Sequence, residues 1–141
     1  MNAPAASSSL NWAAIAAGAG ASLAIGFSAS FLMRPLYSSG IGYGTMIFLS
    51  SVVGLLADTL GGAVAGLVAK RSGALHGALA MVLASAFGLV VTFVMVGRQG
   101  HIEALANIGF WAQWALMALL GLGAGTLAGW IAANIAAKSS S

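Results

Sequence analysis

Long stretches without a charged residue are the feature that most constrains the fold of this chain. No charge lies between Arg71 and Arg98, or between Glu103 and Lys138. A helix of roughly 20 apolar residues crosses the hydrocarbon core of a bilayer, which is about 30 Å thick, and both stretches exceed that length. Continuous apolar runs favour helices over the short alternating segments of a membrane β-barrel. The sequence therefore predicts helices that cross a membrane.

The same length criterion predicts four spans, at about residues 10–33, 44–69, 74–97 and 104–137. Of the 141 residues, 60% are hydrophobic and 5% are charged, and the mean hydropathy is +1.01. Soluble domains carry roughly 25% charged residues. We therefore predict an all-α, integral membrane four-helix bundle that forms a single transmembrane domain over residues 1–141, with the lipid bilayer as its surroundings.

Two pairs of short stretches within this chain have weakly similar sequences, which we call the internal echoes. Residues 62–69 resemble residues 125–132, and residues 30–33 resemble residues 92–95, at offsets of 63 and 62 residues. A duplicated helical hairpin, which would form parallel repeats, explains the echoes. Coincidence in a chain rich in Ala, Gly and Leu explains them equally well, so both interpretations stay open.

Basic residues near the ends of the spans predict the orientation. Four crossings place both termini with Lys70, Arg71 and Lys138 on one side, and Arg34 and Arg98 on the other. The side with more Lys and Arg faces the cytoplasm in most membrane proteins. We therefore predict a multi-pass protein of the cytoplasmic (inner) membrane with both termini in the cytoplasm.

Small residues recur at every fourth position in the predicted helices. Lipid tails are as apolar as leucine, so membrane helices associate through close van der Waals packing, which Gly at this spacing permits. The predicted packing glycines are Gly18, Gly26, Gly54, Gly62, Gly66, Gly121, Gly125 and Gly129. We expect these seams to pack inside the bundle. The alternative is an outward seam that docks another copy or another membrane protein.

One acidic residue, Asp58, lies near the middle of the second predicted helix. It precedes Lys70 by 12 residues, which is roughly 18 Å along a helix. An acid near the bilayer centre costs on the order of 2.5 to 3.5 kcal/mol, so it needs compensation or a function. The same depth on the other helices falls near Ser22, Ser85 and Thr126. We predict a polar layer in which Asp58 hydrogen-bonds to some of these hydroxyls.

Two roles for Asp58 stay open. No Lys or Arg lies at its depth, so burial favours the neutral carboxyl group. A protonated Asp58 would join helices by hydrogen bonds, whereas an ionised one would bind a cation in a small carrier or channel. A proton relay normally needs further acids or histidines, and none lies at this depth, so we favour the structural role.

Other functional sites receive little support. His76, in the stretch GALHGALA of residues 73–80, could ligate haem or a chlorophyll-type pigment, but a hydrogen-bonded histidine is the commoner case and no cofactor is expected. His76 and His101 lie near opposite membrane faces, which argues against a metal site. The chain has no Cys, its two acids are far apart, and its five basic residues form no stripe. We therefore expect neither enzymatic chemistry nor nucleic-acid binding.

The stretch Asn11-Trp12-Ala13-Ala14 followed by Gly18, together with residues 73–80, resembles uncharacterised, small, glycine-rich four-helix membrane proteins of bacteria and archaea. The resemblance implies an integral protein of the cytoplasmic membrane, and it supplies no substrate and no catalytic residue. Small multidrug carriers also have four short helices, but they place a glutamate in the first span. The first span here has no acid, and this departure weakens the carrier interpretation.

The sequence therefore favours a non-enzymatic integral membrane protein that serves as an accessory or structural subunit or as a self-associating packing unit. Its expected partners are other membrane subunits or copies of itself. The alternative is a small proton- or cation-coupled carrier or channel that uses Asp58. A more remote alternative is haem or pigment binding through His76.

Overall fold

Four long α-helices make up most of the computed structural model, which describes residues 10–99 and 102–139. They are α1 (Trp12–Ser38), α2 (Tyr43–Ala69), α3 (Gly73–Gln99) and α4 (Ile108–Lys138), and a short 3-10 helix, Ile102–Ala106, precedes α4. Each α-helix is long and apolar enough to cross a membrane. The prediction of an all-α fold with four such helices is confirmed.

Two helices begin later than predicted, each directly after an asparagine N-cap. The side chain of Asn11 accepts a hydrogen bond from the Ala14 N–H, so α1 begins at residue 12. Asn107 accepts from the Gly109 N–H at 2.8 Å, and α4 therefore begins at residue 108 rather than 104. Such side chains satisfy N–H groups that have no partner within the first turn of a helix.

The first helix also ends later than predicted, at Ser38 rather than at residue 33. It includes Pro35, which has no N–H to donate and removes one helical hydrogen bond. Near the end of the helix this loss is small, and the Ser38 hydroxyl donates to the Pro35 carbonyl oxygen at 2.9 Å. Arg34 therefore lies inside α1 and not in the connection between α1 and α2.

Helices α2 and α3 form the centre of the bundle, and α1 and α4 pack on opposite sides of this pair. Among the residues that the structure describes, α1 and α4 each contact α2 and α3 but do not contact one another. Successive helices run in opposite directions. We call the end with the α2–α3 turn the terminal end, and the end with the α1–α2 connection and the 3-10 helix the loop end.

A twofold axis relating the hairpins α1–α2 and α3–α4 would turn the α2–α3 contact into an α4–α1 contact. Only the α2–α3 contact is present in the described part of the chain. The two hairpins therefore do not pack as symmetric halves, and the duplication stays a prediction.

Backbone contacts between glycines hold together the half of the bundle nearer the terminal end. A Cβ atom added at Gly62 would overlap the backbone of Gly125, and one at Gly66 would overlap the backbone of Gly129. In α3, a Cβ at Gly77 would overlap the carbonyl oxygen of Gly125. Helix α4 thus lies in the groove between α2 and α3 with no room for side chains at these positions.

The interior contains mainly small side chains. Its buried alanines are Ala14, Ala19, Ala57, Ala65, Ala80, Ala84, Ala132 and Ala133, and the only large side chains that are fully buried among the described residues are Ile15 and Met81. Met81 fills the space beside two glycines, since its side chain lies against the Cβ positions of both Gly61 and Gly125. Large apolar side chains lie outside instead, as Leu32 shows with 79% exposure.

The variant Gly62→Ala tests the close approach of α2 and α4. We expect it to lower the free energy of unfolding by about 1 to 3 kcal/mol, because the backbone of Gly125 must move to admit a methyl group. The control is Gly54→Ala on the same helix, where an added Cβ would meet no atom within 4 Å. It should be neutral or slightly stabilising, since Ala favours helix. Unfolding in detergent micelles measures both, and equal effects would contradict the packing.

Candidate functional site

Asp58 lies near the middle of α2 and faces both α1 and α4. The Ser22 hydroxyl donates a hydrogen bond to Asp58 Oδ1 at 2.8 Å. The other carboxyl oxygen lies against Gly121 of α4, where an added Cβ would overlap it. Ser22 is buried and Asp58 is partly buried. The structure thus brings Asp58 and Ser22 together, and Gly121 leaves room for the carboxyl group.

The other two residues predicted to supply hydroxyls, Ser85 and Thr126, have different surroundings. Ser85 of α3 lines the same two cavities as Asp58. The Thr126 hydroxyl donates to the carbonyl oxygen of Leu122 in its own helix at 2.6 Å, and Thr126 is not among the residues lining either cavity. A helical threonine often finds this partner four residues back. Of the three predicted hydroxyls, that of Ser22 thus bonds to Asp58, Ser85 shares its cavities, and that of Thr126 bonds within α4.

Two cavities meet at Asp58. The larger, of about 700 Å³, lies mainly between α2 and α4 and reaches Ile41 and Phe110 at the loop end. The smaller, of about 310 Å³, lies between α1, α2 and α3. Both are lined by Ser50, Gly54, Asp58 and Ser85. Because glycine contacts close the other half of the bundle, Asp58 lies on the floor of this space. We call the larger one the Asp58 cavity.

The walls of the Asp58 cavity combine apolar side chains with a few polar groups. Asp58 is the one charged residue among those that line it in the described part of the chain. The remaining polar side chains are Ser50, Ser51, Ser85 and Gln113, and the aromatic ones are Phe110 and Trp114. Such a mixture is typical of small-molecule sites, whose volumes are roughly 300 to 1,000 Å³.

Sequence reasoning missed Ser50, Ser51 and Gln113. Ser51 and Ser50 precede Asp58 by seven and eight residues, and positions with this spacing share one face of a helix. The pair of serines in an apolar span was therefore a usable signal. Gln113 offered none, because only the packing of α4 against α2 turns it towards the cavity.

The predicted packing glycines fall into two groups. Close contacts occur at Gly18, Gly62, Gly66, Gly121, Gly125 and Gly129. Gly26 and Gly54 differ from the expectation, since a Cβ at either would meet no atom within 4 Å, and both line the smaller cavity. Helices that touch in one half of the bundle diverge in the other, so the same spacing does not give the same contact. Close contacts also occur at Gly61, Gly73 and Gly77, which lie outside that set of eight.

Helices α2 and α4 run in the same direction and pair in register. Asp58 lies opposite Gly121, Gly62 opposite Gly125, and Gly66 opposite Gly129. Each pair is separated by 63 residues, which equals the offset of the internal echo at residues 62–69. The two similar stretches thus contact each other directly.

Both ring nitrogens of His76 have hydrogen-bond partners. The Asn11 N–H donates to Nε2 at 2.9 Å, so Nε2 is an acceptor, and Nδ1 lies 2.9 Å from the Ser72 carbonyl oxygen, to which it donates. The ring is 4% exposed. Ligation of a haem or pigment metal through Nε2 would break the bond to the start of α1. The geometry assigns His76 to joining α1 with α3, while His101 lies outside the described residues.

Within residues 10–99 and 102–139, no group of three or more His, Cys, Asp or Glu side chains lies together. No family model, curated protein or solved structure matches this chain. The functional conclusion therefore rests on the Asp58 cavity itself.

A double-mutant cycle tests the bond between Ser22 and Asp58. We expect Ser22→Ala and Asp58→Ala to show a coupling free energy of about 0.6 to 1.7 kcal/mol, the range for hydrogen bonds between membrane helices. The control cycle pairs Thr126→Ala with Asp58→Ala, and its coupling should be near zero because Thr126 bonds within its own helix. Unfolding in detergent measures both cycles. Larger coupling for Thr126 than for Ser22 would contradict the structure.

Proposed function

We propose that this chain is a non-enzymatic, multi-pass protein of the cytoplasmic membrane that binds a proton or another monovalent cation at Asp58. In this proposal the protein moves that ion across the membrane as a small carrier or channel. One observation carries the proposal: Asp58 lies on the floor of a cavity of about 700 Å³ that reaches the loop end of the bundle.

The distribution of side chains supports insertion into a membrane. Large apolar side chains on all four helices are exposed, including Phe31 at 64%, Phe48 at 66%, Val90 at 59% and Leu119 at 67%. Soluble proteins bury such residues, whereas the buried ones here are mostly alanines. Helices that are apolar on every side fit lipid, in which each helix satisfies its own backbone hydrogen bonds.

The energetic cost of Asp58 favours a functional role over a structural one. An acid near the bilayer centre costs on the order of 2.5 to 3.5 kcal/mol. A hydrogen bond between membrane helices, such as that from Ser22, contributes only about 0.6 to 1.7 kcal/mol. The bond does not offset the cost, and the cavity leaves the carboxyl group open to an ion or a proton. This reverses our preference from the sequence.

The predicted packing glycines do not add support to the accessory-subunit interpretation. Six of the eight predicted packing glycines make close contacts inside the chain, and the other two, Gly26 and Gly54, border a cavity. None of the eight thus supplies an outward docking seam. The interpretation stays a prediction, and mass measurement of the natively purified protein tests it by detecting a stable partner or a second copy.

The orientation remains part of the proposal. Lys70, Arg71 and Lys138 lie at the terminal end, and Arg34 and Arg98 lie near the loop end. The positive-inside rule therefore places the terminal end in the cytoplasm. In that orientation the Asp58 cavity reaches the end of the bundle that faces the outside of the cell.

Single cysteines test the orientation, because the natural sequence contains none. We expect a membrane-impermeant maleimide to label Ser39→Cys at the loop end of intact cells. Ser72→Cys, in the exposed α2–α3 turn, should react only after the cells are permeabilised. In the cavity Ser51→Cys should react from outside, whereas the buried control Ala132→Cys should not. The opposite pattern at Ser39 and Ser72 would reverse the orientation.

Ion flux into proteoliposomes tests the role of Asp58. We expect the wild-type protein to carry protons or monovalent cations, and Asp58→Asn, which keeps the shape of the side chain, to reduce flux to that of empty liposomes. The control is Glu103→Gln, which alters the only other acidic residue of the chain and should keep full flux. A folded Asp58→Asn protein with unchanged flux would refute the proposal, as would a wild-type protein without flux.

A further inference from the structure

We infer that the Asp58 cavity binds lipophilic organic monocations, such as quaternary ammonium or phosphonium ions, with the positive charge beside Asp58. This inference rests on the proposed role of Asp58 as a cation site and names the class of cation.

The single carboxylate in the cavity is complementary to a ligand with one positive charge. Asp58 is the one charged residue among the described residues that line it, and no Lys, Arg or His is among them. Charges interact strongly in surroundings of low polarity, so an ionised carboxylate there is stabilised by a cation in contact with it. A single carboxylate matches a ligand with a single charge.

The described residues place no second carboxylate beside Asp58 to complete the oxygen shell of a hard divalent cation. A hard cation such as Ca²⁺ takes about six to eight oxygen ligands, whereas Asp58 Oδ1 already accepts the Ser22 hydroxyl and Oδ2 lies against Gly121. The neighbouring Thr59 hydroxyl donates to a carbonyl of its own helix. No cluster of three His, Cys, Asp or Glu side chains exists within the described ranges. An organic cation needs no such oxygen shell.

The walls of the cavity match a bulky apolar ligand. Its volume of about 700 Å³ is that of a site for a drug-sized molecule. Met46, Ile47 and Met117 supply apolar and adaptable surface. These side chains would contact the organic groups that surround a quaternary nitrogen or phosphorus atom.

Two aromatic rings lie along the way from the loop end to Asp58. Phe110, Trp114, Met117 and Gly121 follow each other on one face of α4, from the loop end to the carboxyl group. Trp114 packs edge-on against Trp111 with ring centroids 6.5 Å apart, and the Trp111 Nε1 donates to the Leu105 carbonyl oxygen at 2.7 Å. The rings are thus held in place. Aromatic faces attract organic cations.

Binding of tetraphenylphosphonium to the purified protein in detergent tests the inference. Tetraphenylborate has the same shape and the opposite charge, so it is the matched control ligand. We expect the wild-type protein to bind the phosphonium ion saturably, at one per chain, and not the borate. Asp58→Asn should weaken phosphonium binding by roughly tenfold or more, because it removes the carboxylate.

Two tryptophan variants on α4 test the aromatic wall independently of Asp58. Trp114→Leu should weaken phosphonium binding on the order of fivefold. Trp130→Leu is the matched control, because Trp130 is 55% exposed on the outside of the same helix, and it should leave binding unchanged. These variants and the borate comparison keep the inference testable if Asp58→Asn does not fold.

Equal binding of the phosphonium and borate ions would overturn the inference, as would phosphonium binding that survives Asp58→Asn or changes equally in both tryptophan variants. If the wild-type protein carries protons through Asp58 but does not bind the phosphonium ion, the inference is wrong and the proposed function stands. If it binds the ion through Asp58 without any flux, the binding site stands and the transport proposal is wrong.

Discussion

The contact on which the rest of the structure depends is that between the backbones of α2 and α4. Gly62 meets Gly125 and Gly66 meets Gly129, with no space for a side chain between them. Membrane helices gain little from burying apolar surface, since lipid is equally apolar, so close contact supplies the attraction. The contact is confined to one half of the bundle. In the other half the helices diverge, and the cavities fill the space between them.

Asp58 belongs to the same series of contacts. It lies one turn before Gly62 on α2 and faces Gly121, the next glycine of the α4 seam. The row of close contacts between α2 and α4 therefore ends at the carboxyl group of Asp58, which lies at the boundary between the closed half of the bundle and the open half. A glycine at position 121 lets α4 approach while leaving the carboxyl group at the cavity floor. Helix packing and the candidate site thus share one row of residues.

This arrangement gives the bundle two structurally different halves. In the closed half, Met81 fills the gap beside Gly61 and Gly125, and its side chain is 1% exposed. The open half is lined by serines, one glutamine and two aromatic rings. The carrier proposed above would have to loosen the glycine contacts to release an ion on the other side.

The sequence by itself determined the four helices and the position of Asp58 near the middle of α2, because hydropathy and the rise per residue of a helix are local properties. It also placed Ser22 at the level of Asp58, where the two form a hydrogen bond. The tertiary structure decided which residues meet. Gly54 and Gly62 each lie four residues from Asp58, yet only at Gly62 would an added Cβ overlap another helix, since helices that diverge touch over part of their length. Likewise, the Thr126 hydroxyl bonds within its own helix, and both ring nitrogens of His76 have hydrogen-bond partners. The sequence did not show this, because hydrogen bonds depend on distances that only packing sets.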